Sequence, residues 1–228
     1  MRIDIVTIFP EIFTPLNSSI IKRAQEKDLL QLKIWNLRDF SGDKHKKVDD
    51  APYGGGKGMV LKCGPVFRCV KKIKKENPEA LVILTSPQGE VFNQKVAENL
   101  SHLEGMIIIC GHYEGIDERV QKIVAREISI GDYVLTGGEI PSMVLVDSVT
   151  RLLPGVITDA SPKYDSFSDN LLDWPCYTRP EKYMSAKVPD VLLSGNHEKI
   201  RQWRLKKAIE KTKNKRPDIY RMYLKKQK

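Results

Sequence analysis

The chain has 228 residues, of which 41% are hydrophobic and 29% are charged. These proportions are ordinary for a folded globular protein, so they exclude a disordered, a collagen-like and a coiled-coil chain. No apolar run approaches the roughly 20 residues that a membrane-spanning helix needs, and the four cysteines include no Cys-x-x-Cys pair of the kind that holds zinc. We therefore expect a cytoplasmic protein with no membrane partner and no zinc site.

The positive charge is concentrated at the C-terminal end. The whole chain carries a formal net charge of +9. Residues 195–228 contain 13 Lys or Arg and 3 Asp or Glu, a net +10 that leaves −1 for the rest of the chain. A basic segment beside a near-neutral body favours binding to a polyanion such as nucleic acid, although a lysine-rich helix that only aids solubility would have the same composition.

The first part of the chain predicts two strands and two helices. β-Branched residues predict a buried strand over residues 3–8, and the spacing of apolar residues predicts a helix over 18–27 with Asn17 as its N-cap. A second short strand covers 32–35. A long polar loop, 41–58, then leads to a helix that starts at Pro65.

The pattern of short apolar runs and helices then repeats up to Pro154. The predicted elements are a strand at 81–84, a helix at 93–103, a strand at 106–110, a helix through Val120, Ile123 and Val124, a strand at 133–135 and a helix from Pro141. Strands that are apolar on both faces and alternate with helices are typical of a parallel α/β sheet.

The composition changes near residue 159. We predict a domain at 1–158, a flexible linker at 159–168 and a small basic helical domain at 169–228. Asn196 is the predicted N-cap of the basic helix. Helical spacing places Ile200, Trp203 and Ile209 inward and places Arg201, Arg204, Lys207 and Lys211 outward.

Three glycine-bearing loops, at 87–89, 111–115 and 130–138, follow three of the predicted strands. In an open α/β sheet, ligands bind beyond the carboxyl ends of the strands, so these loops are expected to line one pocket. Ordinary tight turns are the alternative for any one of them. Neither a phosphate-binding loop nor a dinucleotide fingerprint is present. The loops contain no Lys or Arg, which favours a neutral or cationic ligand.

Six stretches make the chain recognisable: Pro-Tyr-Gly-Gly-Gly at 52–56, Ser-Pro-Gln-Gly at 86–89, Cys-Gly-His-Tyr-Glu-Gly-Ile-Asp-Glu-Arg at 110–119, Ser-Ile-Gly-Asp-Tyr-Val-Leu-Thr-Gly-Gly-Glu at 129–139, Asp-Ser-Phe at 165–167 and Leu-Leu-Ser-Gly-Asn-His at 192–197. In these stretches the chain resembles the bacterial tRNA (guanine-N1)-methyltransferases of the TrmD type, in the SPOUT superfamily. The resemblance runs over nearly the whole chain.

The resemblance implies a fold and a cofactor that the periodicity alone does not predict. The fold is a parallel α/β sheet with a deep trefoil knot, in a homodimer whose active sites are shared between subunits. The cofactor is S-adenosylmethionine. The residues implied to bind it are Leu84, Thr85, Ser86, Pro87, Gln88, Gly111, Tyr113, Glu114, Gly115, Ile130, Gly131, Asp132, Tyr133, Val134, Leu135, Gly137, Gly138 and Pro141.

The implied reaction methylates ring nitrogen 1 of guanosine 37, next to the anticodon of tRNA. By match to the family, Asp165 is the base that removes the proton from this nitrogen, and Arg151 stabilises the negative charge on the neighbouring oxygen. A Mg²⁺ ion near Glu114 is a second candidate for that stabilisation. The residues expected to contact the tRNA anticodon stem-loop are Asp49, Gly58, Ser166, Asp173, Arg201, Arg204, Lys207 and Lys211.

Two other functions remain open from the sequence. A knotted methyltransferase that acts on ribosomal RNA would share the cofactor loops but would not need Asp165 or the basic C-terminal segment. A non-catalytic RNA-binding protein would keep the basic segment and a vestigial pocket.

Overall fold

The computed structural model describes residues 1–157 and 165–227. The chain divides into two compact units, Met1–Thr158 and Asp159–Lys228. Most of the predicted linker, residues 159–164, lies outside the described residues.

The first unit is built on a sheet of five parallel strands in the order β2-β1-β6-β5-β7. The strands are β1 (Arg2–Thr7), β2 (Gln31–Asn36), β5 (Leu81–Val91), β6 (Gly105–Cys110) and β7 (Arg126–Ser129), while β3 (Asp49–Asp50) and β4 (Val60–Leu61) form a separate two-residue antiparallel pair. The predicted parallel α/β sheet is thereby confirmed.

Helices cover both faces of this sheet. They are α1 (Ser19–Glu26), α2 (Cys63–Glu76), α3 (Gln94–Ser101) and α4 (Glu139–Thr150), with 3₁₀ helices at Pro10–Asn17, Leu37–Phe40 and Glu118–Ile123. Alternate residues of one strand serve opposite layers: in β6, Ile108 packs in the cluster that includes α1, α3 and α4, whereas Ile107 and Ile109 pack with α2. This explains why the strands are apolar at nearly every position.

Two predicted elements of the first unit are wrong. The strand expected at 133–135 is an exposed loop. The strand in that region is β7, which ends four residues earlier, at Ser129. The structure also begins α1 after Ser18, because Asn17 is the last residue of a 3₁₀ helix, so Asn17 is not the N-cap. Pairing with β5, a tertiary contact, selects β7 as the strand. At the N-cap the reason is local, because the 3₁₀ helix Pro10–Asn17 occupies the predicted position.

The second unit is smaller and mostly exposed. It contains a two-residue hairpin, β8 (Lys182–Tyr183) and β9 (Ala186–Lys187), and the helices α5 (Asp190–Leu193), α6 (His197–Lys215) and α7 (Pro217–Lys226). The predicted cap of α6 is confirmed, since the Asn196 side chain accepts a 3.0 Å hydrogen bond from the backbone of Lys199. Within the residues that the structure describes, no helix is both long enough and apolar enough to cross a membrane.

Candidate functional site

The first wall of the site is an excursion in β5. Thr85 and Glu90 both pair with Ile128 of β7, so the four residues between them leave the ladder as a loop. A side chain at Gly89 would overlap the backbone of Glu127 and Ile128. Glycine at this position therefore allows the loop to return to the sheet directly beside β7.

The second wall is the contact between two loops that are distant in sequence. The backbone N–H of Gly138 donates to the carbonyl of Gly111 over 2.7 Å. A Cβ at Gly138 would lie only 2.7 Å from the Gly111 nitrogen and would clash with the Thr85 hydroxyl. That hydroxyl donates to the carbonyl of Ile109 over 3.1 Å. The Thr85 hydroxyl and the backbone of Gly111 and Gly138 thus hold the three strand-end loops together at the start of α4.

A third set of contacts holds the loop after β6 in place. The backbone of Glu114 donates to the carbonyl of Met59, and Leu61 donates to the carbonyl of Gly115, each over 3.0 Å. Tyr113 adopts a positive φ of 61° in this loop, and the Glu114 side chain lies against Gly58. The segment around β4 therefore braces the loop from its outer side.

A buried polar chain lies behind these loops. The Thr7 hydroxyl donates to Oε1 of Glu139 over 2.9 Å, and the backbone of Phe9 donates to the Thr7 oxygen over 3.0 Å. Nδ1 of His112 lies 3.6 Å from the other Glu139 oxygen, an ion pair only when the imidazole is protonated. The first residue of α4 is thus tied to β1 and to the loop that follows β6.

The loops enclose a cavity of about 430 Å³ at the carboxyl ends of β5, β6 and β7, a size typical of small-molecule sites. All of the residues predicted to bind the cofactor line it, except Asp132, which is exposed and is not among the lining residues. The sequence also missed part of the lining: Ile116, Glu118, Gln121, Glu127, Ile128 and Ser129. The last three were missed because the strand was predicted at 133–135 instead of β7.

The charge of the cavity is negative. Glu114, Glu118 and Glu127 contribute to the lining, whereas no Lys or Arg is found among the lining residues that the structure describes. Such a surface attracts a cation and repels a phosphate.

Deeper in the wall, burial raises the pKa of the Cys110 thiol, which lies 3.1 Å from the Ser142 hydroxyl. Cys110 is therefore a packing residue and not a nucleophile.

The two predicted catalytic residues lie in different units. Arg151 is the C-cap of α4 in the first unit and does not line the cavity. Asp165 begins a turn in the second unit, where its carbonyl accepts from the backbone of Ser168 over 3.4 Å. Ser166 accepts from the backbone of Asp173 over 3.0 Å.

Asp173 is fixed in turn by α6. Lys211 donates to its carboxylate over 2.7 Å and to its carbonyl over 3.0 Å. The hydrogen bond from Lys211 lowers the pKa of Asp173 below its ordinary value. Of the two other predicted substrate residues, Asp49 is half-buried in β3 and Gly58 is exposed beside Glu114.

The four basic residues predicted to contact tRNA all have partners within the second unit. Arg201 pairs with Glu198 over 3.2 Å and Lys207 with Glu210 over 2.7 Å, while the Arg204 guanidinium lies 5.0 Å from the centre of the Trp174 ring. Lys207 and Lys211 are half-buried. This differs from the fully outward position that helical spacing predicts for them.

A metal site finds no support in the described part of the chain. No group of three or more His, Cys, Asp or Glu side chains is placed there to hold an ion. The candidate Mg²⁺ position at Glu114 therefore has no set of neighbouring ligands among those residues.

Comparison with known proteins gives a consistent result along the chain. The family model described as tRNA (Guanine-1)-methyltransferase TrmD matches residues 1–222. A tRNA (guanine-N(1)-)-methyltransferase from Dictyoglomus turgidum is 59% identical over 221 residues, covering 96% of this chain and 89% of the relative. Proteins with the same name from Moorella thermoacetica and from Geobacter sp. strain M21 are 54% and 53% identical, each over 96% of this chain and over 90% and 89% of the relative.

Proposed function

The chain belongs to the tRNA (guanine-1)-methyltransferase TrmD family and is an enzyme that methylates tRNA, and we propose that it transfers a methyl group from S-adenosylmethionine to nitrogen 1 of guanosine 37, next to the anticodon. The observation that carries this proposal is the match of 222 consecutive residues, which includes every loop of the cavity. The cytoplasm, where tRNA is modified, is the proposed location.

The cavity fits S-adenosylmethionine in charge and in wall chemistry. The lining carboxylates Glu114, Glu118 and Glu127 suit a sulfonium cation, and the 130–138 loop supplies backbone groups that can hydrogen-bond an adenine. When bound, the cofactor supplies an electrophilic methyl group. The protein's part is to hold it beside the target nitrogen, so most of the catalysis is positioning.

Methylation of the target nitrogen requires a group of the protein to accept its proton. Nitrogen 1 of guanine carries a hydrogen, and an aspartate is a weak base for so weak an acid. We assign Asp165 to accept this proton and Arg151 to stabilise the negative charge that develops on the neighbouring carbonyl oxygen. Because these residues belong to different units, the proposal requires the substrate to be held by both.

A homodimer with shared active sites supplies that arrangement. Ile140 and Val144 lie four residues apart on α4 and are 49% and 37% exposed, which supports an apolar contact between copies of the first unit. The proposed trefoil knot is supported by the close approach of Gly138 to Thr85 and Gly111, where the chain enters α4.

The second unit is proposed to bind the anticodon stem-loop. The net charge of +10 over residues 195–228 supports this role, and contacts of this kind supply affinity and register without reading the base sequence. The target guanine must leave its stack to reach a cavity within the protein.

Nucleoside mass spectrometry tests the proposed function. Unmodified tRNA transcripts with guanosine or adenosine at position 37 are incubated with the protein and S-adenosylmethionine. We expect 1-methylguanosine only from the guanosine transcript. Its absence, or methylation of both transcripts, would reject the assignment. Ribosomal RNA is incubated in parallel, and its methylation without that of tRNA would favour the ribosomal alternative. Calorimetric titration with S-adenosylmethionine is the second measurement, and the absence of heat would favour a vestigial pocket.

A further inference from the structure

A stripe of positive charge runs along the outer face of α2, in the first unit. Arg68, Lys71, Lys72 and Lys75 follow the i, i+3, i+4, i+7 spacing of one helix face, and all four are exposed. The opposite face of α2 is buried in the core. Helical packing therefore forces the four cations outward together.

The acid at the end of the stripe does not neutralise it. Glu76 accepts from Arg2 and from Lys33 over 3.0 Å each and from Lys72 over 3.2 Å. The hydrogen bonds from Lys33, then Arg2 and then Lys72 hold the pKa of Glu76 at about 2. The carboxylate is therefore charged, but its charge is shared among three cations. Lys71 and Lys75 have no ion pair with any other described residue.

A groove beside the stripe shares two of its cations, Arg68 and Lys71. It has a volume of about 420 Å³, is floored by apolar side chains such as Phe67 and Ile123, and carries Arg68, Lys71 and Lys74 on its rim. A second copy of the chain is a poor occupant, because a two-fold contact through this face would set like charges against each other. The charge is complementary to a polyanion.

The stripe points away from the cavity. Its C-terminal end lies at the amino ends of the strands, where Glu76 contacts Arg2 at the start of β1 and Asn77 lies against Gly105 at the start of β6. The cavity lies at the carboxyl ends, on the order of 20 Å away for a strand of this length. An RNA that reaches Lys75 with its target nucleotide in the cavity must extend well beyond the anticodon loop.

We propose that the α2 face formed by Arg68, Lys71, Lys72 and Lys75 is a second tRNA-binding surface that contacts phosphates outside the anticodon stem-loop. The inference rests on the proposed function, since it takes tRNA as the substrate. It adds a contact made by the first unit, which carries a net charge near zero overall, and it assigns that contact to affinity and not to recognition of the guanine.

The test compares the double variant K71Q/K75Q with K27Q/K95Q, which removes two exposed lysines, one at the C-cap of α1 and one in α3, on the other face of the sheet. Binding of full-length tRNA and of an isolated anticodon stem-loop is measured against salt concentration. For full-length tRNA we expect K71Q/K75Q to weaken binding several-fold near 0.15 M salt and to reduce the salt slope by about 1 to 2. The K27Q/K95Q variant and the isolated stem-loop should show no change.

An unchanged salt slope in K71Q/K75Q, or an equal loss in K27Q/K95Q, would overturn the proposal. So would an equal loss on the isolated stem-loop, since the stripe would then contact the loop region itself. Melting temperatures confirm that both variants fold. Methylation by the unaltered protein is measured in the same samples, so a failure of the proposed function is recognised separately from a failure of the stripe.

Discussion

Two glycines show how single atoms shape the cavity. Gly138 and Gly89 lie where another segment of backbone passes too closely for any side chain. Neither position carries reactive chemistry, yet both set the distance between loops that come from different strands. The cavity is therefore defined first by backbone contacts, and its lining carboxylates act within that frame.

Replacement of Gly138 by Ala tests this frame. The added Cβ would meet the Gly111 nitrogen at 2.7 Å, so the loops must separate. We expect a loss of about 1–3 kcal/mol in the free energy of unfolding and weaker binding of S-adenosylhomocysteine in calorimetry. The matched control is G42A, whose Cβ would find its nearest atom at 3.7 Å. Unchanged binding in G138A would show that the loop contact is not needed for the cavity.

Replacement of Asp165 by Asn tests the proposed base. An amide cannot take the proton from the guanine nitrogen, so turnover should fall by a factor of about 10² or more, while calorimetric binding of S-adenosylmethionine stays unchanged. The control is D169N in the same turn region, where Asp169 pairs with Lys226 over 3.0 Å. Near-normal turnover in D165N would reject the role.

At the level of elements, the sequence predicts the sheet and most of its helices because apolar runs buried on both faces leave a clear pattern. It fails at β7, where the partly exposed Arg126 and Glu127 hide the strand. The run Tyr133-Val134-Leu135 has strong strand propensity, yet it follows Gly131 at a φ of 148° and is exposed at the cavity. Pairing with β5 decides between the two segments, and a local pattern does not contain that contact.

The cavity was predicted better than the basic helix. Loops at the carboxyl ends of parallel strands must converge at one edge, so their residues could be placed together from the sequence. The intramolecular partner of Lys211 could not, because Lys211 pairs with Asp173, 38 residues away in sequence. Helical spacing shows which residues share a face but not what covers that face.

The segment that carries Asp165 is attached to α6 through the pair of Asp173 and Lys211. Because Lys211 lowers the pKa of Asp173, the carboxylate stabilises the fold above its ordinary pKa of 3.8 and loses this effect as the pH falls through the lowered value. D173N should therefore be less stable than the unaltered protein at neutral pH, by less than about 1 kcal/mol for so exposed a pair.

Thermal melts at pH 7 and at a pH well below 3.8 measure this difference, which should disappear in acid. The double variant D173N/K211M should be no less stable than K211M alone, since the interaction is already absent there. A difference that persists in acid would show that Asp173 acts through something other than its charge.

For the whole molecule, the proposed dimer predicts a change in mass on a single substitution. I140D places a charge on the exposed apolar face of α4, where Ile140 is 49% exposed, and an unpaired charge in a closed subunit contact is strongly unfavourable. Light scattering should show a dimer for the unaltered protein and a monomer for I140D. The control is V91D at the end of β5, where Val91 is 56% exposed. A dimer that persists in I140D would place the contact elsewhere.

The central claim is that the cavity holds the methyl donor while Asp165, from the second unit, takes the proton of the target guanine. A crystal structure with S-adenosylhomocysteine and an anticodon stem-loop measures both parts at once. We predict the cofactor product between the loops that contain Gln88, Gly111 and Leu135, and an Asp165 oxygen about 3 Å from nitrogen 1 of guanosine 37. A cofactor product bound outside this cavity, or an Asp165 carboxylate remote from that nitrogen in both subunits, would contradict the account.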